Sequence, residues 1–148
     1  MRAKHTVHNI NEDVKSFFIR FAYIIAPTVG LFIYFIFKKL SNFNIDDNFV
    51  SNLINVSGIL AGFLFTSLGI IISLPENKFI QLLKDTGYMK IIYNSMIIGI
   101  ITLLIAMLLG MFNFKKIPTE LSFIIGISET FLSAYYLYRV SYYSGKSK

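Results

Sequence analysis

The sequence has no cysteine, no tryptophan, three prolines in 148 residues and few charges. Without cysteine there is no disulfide, no thiolate nucleophile and no cysteine metal site. Charged residues make up 15% of the chain, well below the ~25% usual for soluble domains. That is too little polar sequence to enclose a water-soluble core when 55% of the residues are hydrophobic and the mean hydropathy is +0.62. A Gly-rich phosphate loop, an H-E-x-x-H pair and a serine nucleophile elbow are all absent from the sequence, so no catalytic residue and no cofactor is expected. The net charge of +6 would suit nucleic acid in a soluble protein. Here the basic residues stand at the ends of apolar runs, a pattern that orients membrane helices.

What is present is a set of long apolar runs. The stretch 48–75 carries no formal charge, and its apolar body matches the ~20 residues a helix needs to cross hydrocarbon. Gly58, Gly62, Thr66, Gly69 and Ser73 recur at helical spacing within it, a small-residue face that lets another helix approach closely. Three further runs follow the same plan, so the spans are expected at about 17–37, 53–74, 91–114 and 121–138. The first carries Ala22, Ala26 and Gly30 four apart, with Pro27 expected to kink it. No small-x-small cleavage site follows this run, so it reads as a helix that stays rather than a signal peptide. Ser95, Gly99, Thr102, Ala106 and Gly110 line the third run. Ser122, Gly126, Thr130 and Ala134 line the fourth, which is the most polar.

The connections are short. In the first, Asp46 and Asp47 suit a helix N-terminus. The segment 75–90 is too charged to span. Phe79, Ile80, Leu82 and Leu83 share one face of it, which predicts an amphipathic helix in the membrane interface, ended by Gly87. In the last connection Pro118 and Thr119 mark a turn, and Glu120 suits the first turn of the next helix. Such a short link makes its flanking helices antiparallel neighbours. Tyr135, Tyr136, Tyr138, Tyr142 and Tyr143 predict an aromatic belt. Ten of the 14 Lys and Arg fall on the side shared by both termini and the 75–90 segment, which predicts that side to be cytoplasmic, at the cell inner membrane. The expected fold is therefore all-α: an integral membrane four-helix bundle with one interfacial helix between helices 2 and 3.

Glu129 is the outlier. It falls near the middle of the fourth run, where a charged side chain costs roughly 2.5–3.5 kcal/mol on insertion scales. No basic residue falls at matching depth in another run, so an internal salt bridge is not expected. Thr28, Thr66 with Ser67, Thr102 and Ser133 fall near the same depth. With Glu129 they are expected to form one buried polar layer: a proton or cation site, the lining of a pore between copies, or a neutral packing contact. Gly58, Gly62, Gly69, Gly99, Gly110 and Gly126 are the expected helix-packing positions. His5 and His8 sit three apart in a polar tail and are not read as metal ligands.

The plan, and the run SGILAGFLFTSLGIIISLPENKFIQLLKDTGY at 57–88, resemble the small four-span membrane proteins of bacterial phage-defence and immunity cassettes, Kiwa-type membrane subunits among them. The resemblance implies a homo-oligomeric membrane component that works with a cytosolic partner protein. Small multidrug-resistance transporters share the size but place a glutamate in the first helix, where this chain has Pro27 and Thr28. Three functions are consistent with the residues: a membrane-sensing or membrane-perturbing defence component, a small proton-coupled transporter or ion channel, and a membrane scaffold or bacteriocin-immunity protein.

Overall fold

The computed structural model describes residues 21–40, 47–76, 78–112 and 116–146. These form five α-helices, with no strand among the described residues: α1 (Ala22–Leu40), α2 (Asp47–Ser73), α3 (Lys78–Asp85), α4 (Tyr88–Met111) and α5 (Lys116–Lys146). Three segments are long and apolar enough to cross a membrane: α1, Phe49–Ser73 of α2, and α4. α5 runs unbroken through the expected fourth span. It is not one of those three, because Ser122, Ser128, Glu129, Thr130 and Ser133 make its middle polar.

Local sequence accounts for most boundaries. α2 begins at Asp47. The amphipathic helix is shorter than the 75–90 segment, spanning only Lys78–Asp85. It ends as expected at Gly87, whose φ of +78° is costly for any residue with a Cβ. The Gly87 N–H donates to the Lys84 carbonyl at 3.0 Å, and α4 starts at the next residue. Ile80 of α3 is buried and Leu83 packs beside it, whereas Leu82 is exposed. The apolar face is therefore divided between the bundle and the outside. Lys84 reaches back to the Glu76 carboxylate and holds it below the usual carboxylate range. Both groups are exposed, so the pair contributes little to stability.

The last connection differs from expectation. α5 already begins at Lys116, so Pro118 and Thr119 lie in its first turn rather than in a loop. Proline is tolerated there because the first N–H groups of a helix have no intrahelical partner. Glu120 consequently sits one turn further in. Residues 17–20 of the expected first span, Asp46, 113–114 of the third span, and His5 and His8 lie outside the described residues.

The packing order is not the chain order. The closest pair is α4 with α5. α2 seats on α4, and α1 seats on α5. Facing residues give the directions. Gly110 faces Thr119, Gly99 faces Glu129 and Ser95 meets Ser133, so α4 and α5 are antiparallel. Gly110 faces Ile54 and Gly99 faces Leu64, so α2 is antiparallel to α4. Gly30 faces Ser128 and Lys38 meets Glu120, so α1 is antiparallel to α5. The core lies along α4, with Met96 and Leu103 fully buried in one cluster with Leu64 and Ala61 of α2, and Ala106 also fully buried. α1 contributes no buried residue.

Candidate functional site

Glycines set the seam between α4 and α5. A Cβ at Gly126 would lie 2.5 Å from Leu103 Cγ and 3.1 Å from Thr102 Oγ1. A Cβ at Gly99 would lie 2.8 Å from Leu64 Cδ1 and 3.2 Å from the Cβ of Glu129. Only hydrogen fits at either position, and that closeness brings Glu129 against the α4 backbone. On α5 the inward residues are Gly126, Glu129, Ser133 and Tyr136, all buried. Their spacing of three, four and three is that of a single helix face.

Glu129 is fully buried, and neither carboxylate oxygen has a hydrogen-bond partner among the described residues. Its backbone carbonyl, by contrast, is crowded with donors. Ser95 Oγ donates to it from α4 at 3.1 Å, and Ser133 Oγ donates from one turn on at 2.8 Å. The two hydroxyls are themselves 2.9 Å apart. The two hydroxyls are thus directed mainly at the backbone, and of the two it is Ser95 that also interacts with the carboxyl. A buried polar group without a partner carries a desolvation penalty of roughly 1–3 kcal/mol, more when charged. Native structures keep few such groups.

The expected polar layer does not form as read from the sequence. Thr28 and Thr66 are exposed, and their hydroxyls donate to the Ile24 and Gly62 carbonyls of the preceding turn at 2.7 and 2.9 Å. That local bond satisfies a helical hydroxyl without a partner helix. Ser67 is half-buried on α2. Thr102 is half-buried, bonded to the Ile98 carbonyl at 2.8 Å, and beside Gly126. Of the residues singled out, Ser133 stands with Glu129, and Thr102 lies one turn of α5 away.

Two serines complete the picture. Ser95 supplies the cross-helix bond. In the sequence it shows only as one member of the small-residue face of the third run. Ser57 of α2 is fully buried, and its hydroxyl has no hydrogen-bond partner among the described residues. Thr28, Thr66, Thr102, Ser128, Thr130 and Ser133 all bond a carbonyl four residues back on their own helix. Ser57 does not, and no sequence signal distinguishes it from them.

The glycines divide into two sets. Gly99, Gly110 and Gly126 are buried at close approaches, and a Cβ at Gly110 would lie 2.6 Å from Ile54 Cγ1. Gly58 is half-buried, with Met107 Sδ at ordinary contact distance. Gly62 and Gly69 are exposed, and nothing stands within 4 Å of where their Cβ atoms would be. The expectation that they pack against the other helices of the chain is therefore corrected. The inward face of α2 is instead Leu53, Ser57, Ala61, Leu64 and Ile71.

A second polar cluster joins α1 to α5. Glu120 is 4% exposed. Lys38 Nζ donates to its Oε2 at 2.9 Å and to the Tyr34 hydroxyl at 2.7 Å, while the Tyr34 hydroxyl donates to the same Oε2. At the opposite end of α5, Tyr136 meets Tyr88 and Tyr135 edge to face, and Arg139 lies 6.0 Å over the Tyr135 ring. No group of three or more His, Cys, Asp or Glu with metal-binding geometry occurs among the described residues. Comparison of the chain with models of known protein families, with curated proteins and with solved structures gave no match, so function is argued from this geometry.

Proposed function

We propose that the chain is a four-span, non-enzymatic membrane protein that assembles with further copies of itself. Its working group is Glu129, which takes up and releases a proton or a small monovalent cation inside the bundle. One observation carries this reading: the Glu129 carboxyl is fully buried with no cation or strict hydrogen-bond partner among the described residues, and the one hydroxyl that influences it, Ser95, also lies on the Glu129 carbonyl. An ionisable group held at membrane depth is costly, and such groups mark ion and proton pathways. α5 is the fourth crossing. At 1.5 Å per residue its 31 residues extend about 46 Å, longer than the ~30 Å hydrocarbon core. The resemblance to bacterial defence components supplies the setting: the inner membrane, with α3 and both termini facing the cytoplasm and a cytosolic partner protein. Flux through the Glu129 site would be the means by which the membrane is perturbed.

The test is reconstitution of the full chain in phosphatidylethanolamine/phosphatidylglycerol vesicles loaded with a pH-sensitive dye. Wild-type protein should collapse an imposed proton, Na⁺ or K⁺ gradient. Glu129→Gln at equal incorporation should slow that collapse at least about tenfold, the equivalent of ~1.4 kcal/mol in the barrier. Equal rates would exclude Glu129 as the working group.

Assembly is supported by the outward glycines. In lipid no hydrophobic reward draws helices together, so close backbone approach at small residues supplies much of the attraction. Gly62, Thr66 and Gly69 offer such an approach on an exposed face. Gly62→Ile with Gly69→Ile meets open space within the chain. It is expected to leave helicity and melting unchanged while shifting the detergent-solubilised protein from oligomer to monomer, as measured by light scattering or native mass spectrometry. An unchanged mass would place the interface elsewhere.

A further inference from the structure

We propose that α1 is a movable helix, latched onto α5 by the Lys38–Tyr34–Glu120 cluster and able to swing away when that cluster opens. The inference rests on the reading that these helices lie in a bilayer, and it goes beyond the role given to Glu129.

The argument begins with what α1 lacks. None of its residues is buried, whereas α4 buries nine, from Met89 to Gly110. Val29, Phe32, Ile33, Phe35 and Phe37 are each about half exposed or more. In water that surface would drive α1 onto the bundle. In hydrocarbon it is solvated by acyl chains, and its burial yields no hydrophobic free energy. What remains to hold α1 is packing and polar bonding. Ala22 packs against the core at one end of the helix, and at Gly30 the backbone approaches α5 so closely that any Cβ would overlap the Ser128 hydroxyl and lie 3.6 Å from Ile124 Cγ2. The polar bonding is the cluster at the Leu40 end of the helix.

That cluster has the composition of a latch. Glu120 is buried by the contact, so its charge depends on Lys38 and Tyr34 for compensation. A buried ion pair adds little net stability while intact, but removing one partner is costly because a charge is left uncompensated. The equilibrium is therefore sensitive to single groups. Lys38 is itself part-exposed, with its side chain at 38%, so competing phosphate oxygens or water can reach it. Pro27 lies within α1, three residues before Gly30. It removes one backbone hydrogen bond and gives the helix a point at which to bend. When α1 leaves, it uncovers Ser128, the residue that precedes Glu129.

The absence of native cysteine allows a clean test. Spin labels at Leu40→Cys and Ile117→Cys, both exposed positions on facing helices, report the α1–α5 separation in nanodiscs by double electron–electron resonance. With the cluster intact, one short distance should dominate. Tyr34→Phe with Lys38→Met should raise a longer-distance population at least about threefold. Lys38→Arg, which keeps the charge and the donors, should restore the short distance. Superimposable distributions for the intact and opened clusters, in samples of equal helicity and monodispersity, would overturn the proposal, as would a Lys38→Arg protein as separated as Lys38→Met. The measurement needs no ion flux. A silent vesicle assay would sink the Glu129 reading and leave this result to stand or fall by itself.

Discussion

Glu129→Met should make the protein more stable while removing its activity. The carboxyl occupies a fully buried position with both oxygens unpartnered. A methionine of similar length has no oxygens to desolvate and can adapt to an irregular space. The expected gain is about 1–3 kcal/mol, the penalty of one unsatisfied buried polar group. It would be read as a higher melting temperature in detergent or a higher midpoint in a denaturing-detergent titration. The sign separates two readings of the same residue. If Glu129 were packing glue between helices, removing it would lose a hydrogen bond and lower stability. If the protein retains it for ion handling, the apolar variant gains stability and loses flux. A destabilised Glu129→Met that still carries gradients would reverse both expectations.

Gly126→Leu is expected to cost the most of any single change in the bundle, about 3 kcal/mol or more, at or above the upper end of ordinary overpacking penalties. A Cβ at this position would already stand 2.5 Å from Leu103 Cγ and 2.7 Å from Leu103 Cδ2, and leucine adds three further carbons. Leu103 is fully buried, so it has nowhere to turn. The α4–α5 seam would have to open, taking with it the Ser95 to Glu129 bond. Gly126→Ala should fall in the range of about 1–3 kcal/mol. Gly62→Leu is the control, since nothing lies within 4 Å there, and monomer melting should be unaffected. Equal tolerance at Gly126 and Gly62 would mean that the seam is not as close as described.

How far the sequence led can be judged from these residues. The third run announced its own packing, because Ser95, Gly99, Ala106 and Gly110 interrupt an otherwise large-residue helix and all four prove buried. Glu129 stood out because a carboxylate in an apolar run has few innocent explanations. α2 misled for a physical reason. Where lipid and protein interior are equally apolar, a helix shows little difference between its inner and outer faces, and two of its three glycines, Gly62 and Gly69, lie on the outer one. The Lys38–Glu120 pair spans 82 residues and exists only through the register of two helices from opposite parts of the chain. Nothing local to either residue announces it. Thr28 and Thr66 lie outside the layer because a helical hydroxyl can bond its own preceding carbonyl and needs no neighbour.

The seating of α1 on α5 has a consequence for biogenesis. Of the five helices, α1 is synthesised first and α5 last, and domains form as their parts leave the ribosome. Through most of translation α1 is therefore without its chief neighbour, while α2 and α4 are already able to pair. The final helix is also the most polar of the four long ones, and it reaches its place by docking onto partners that have been waiting for it.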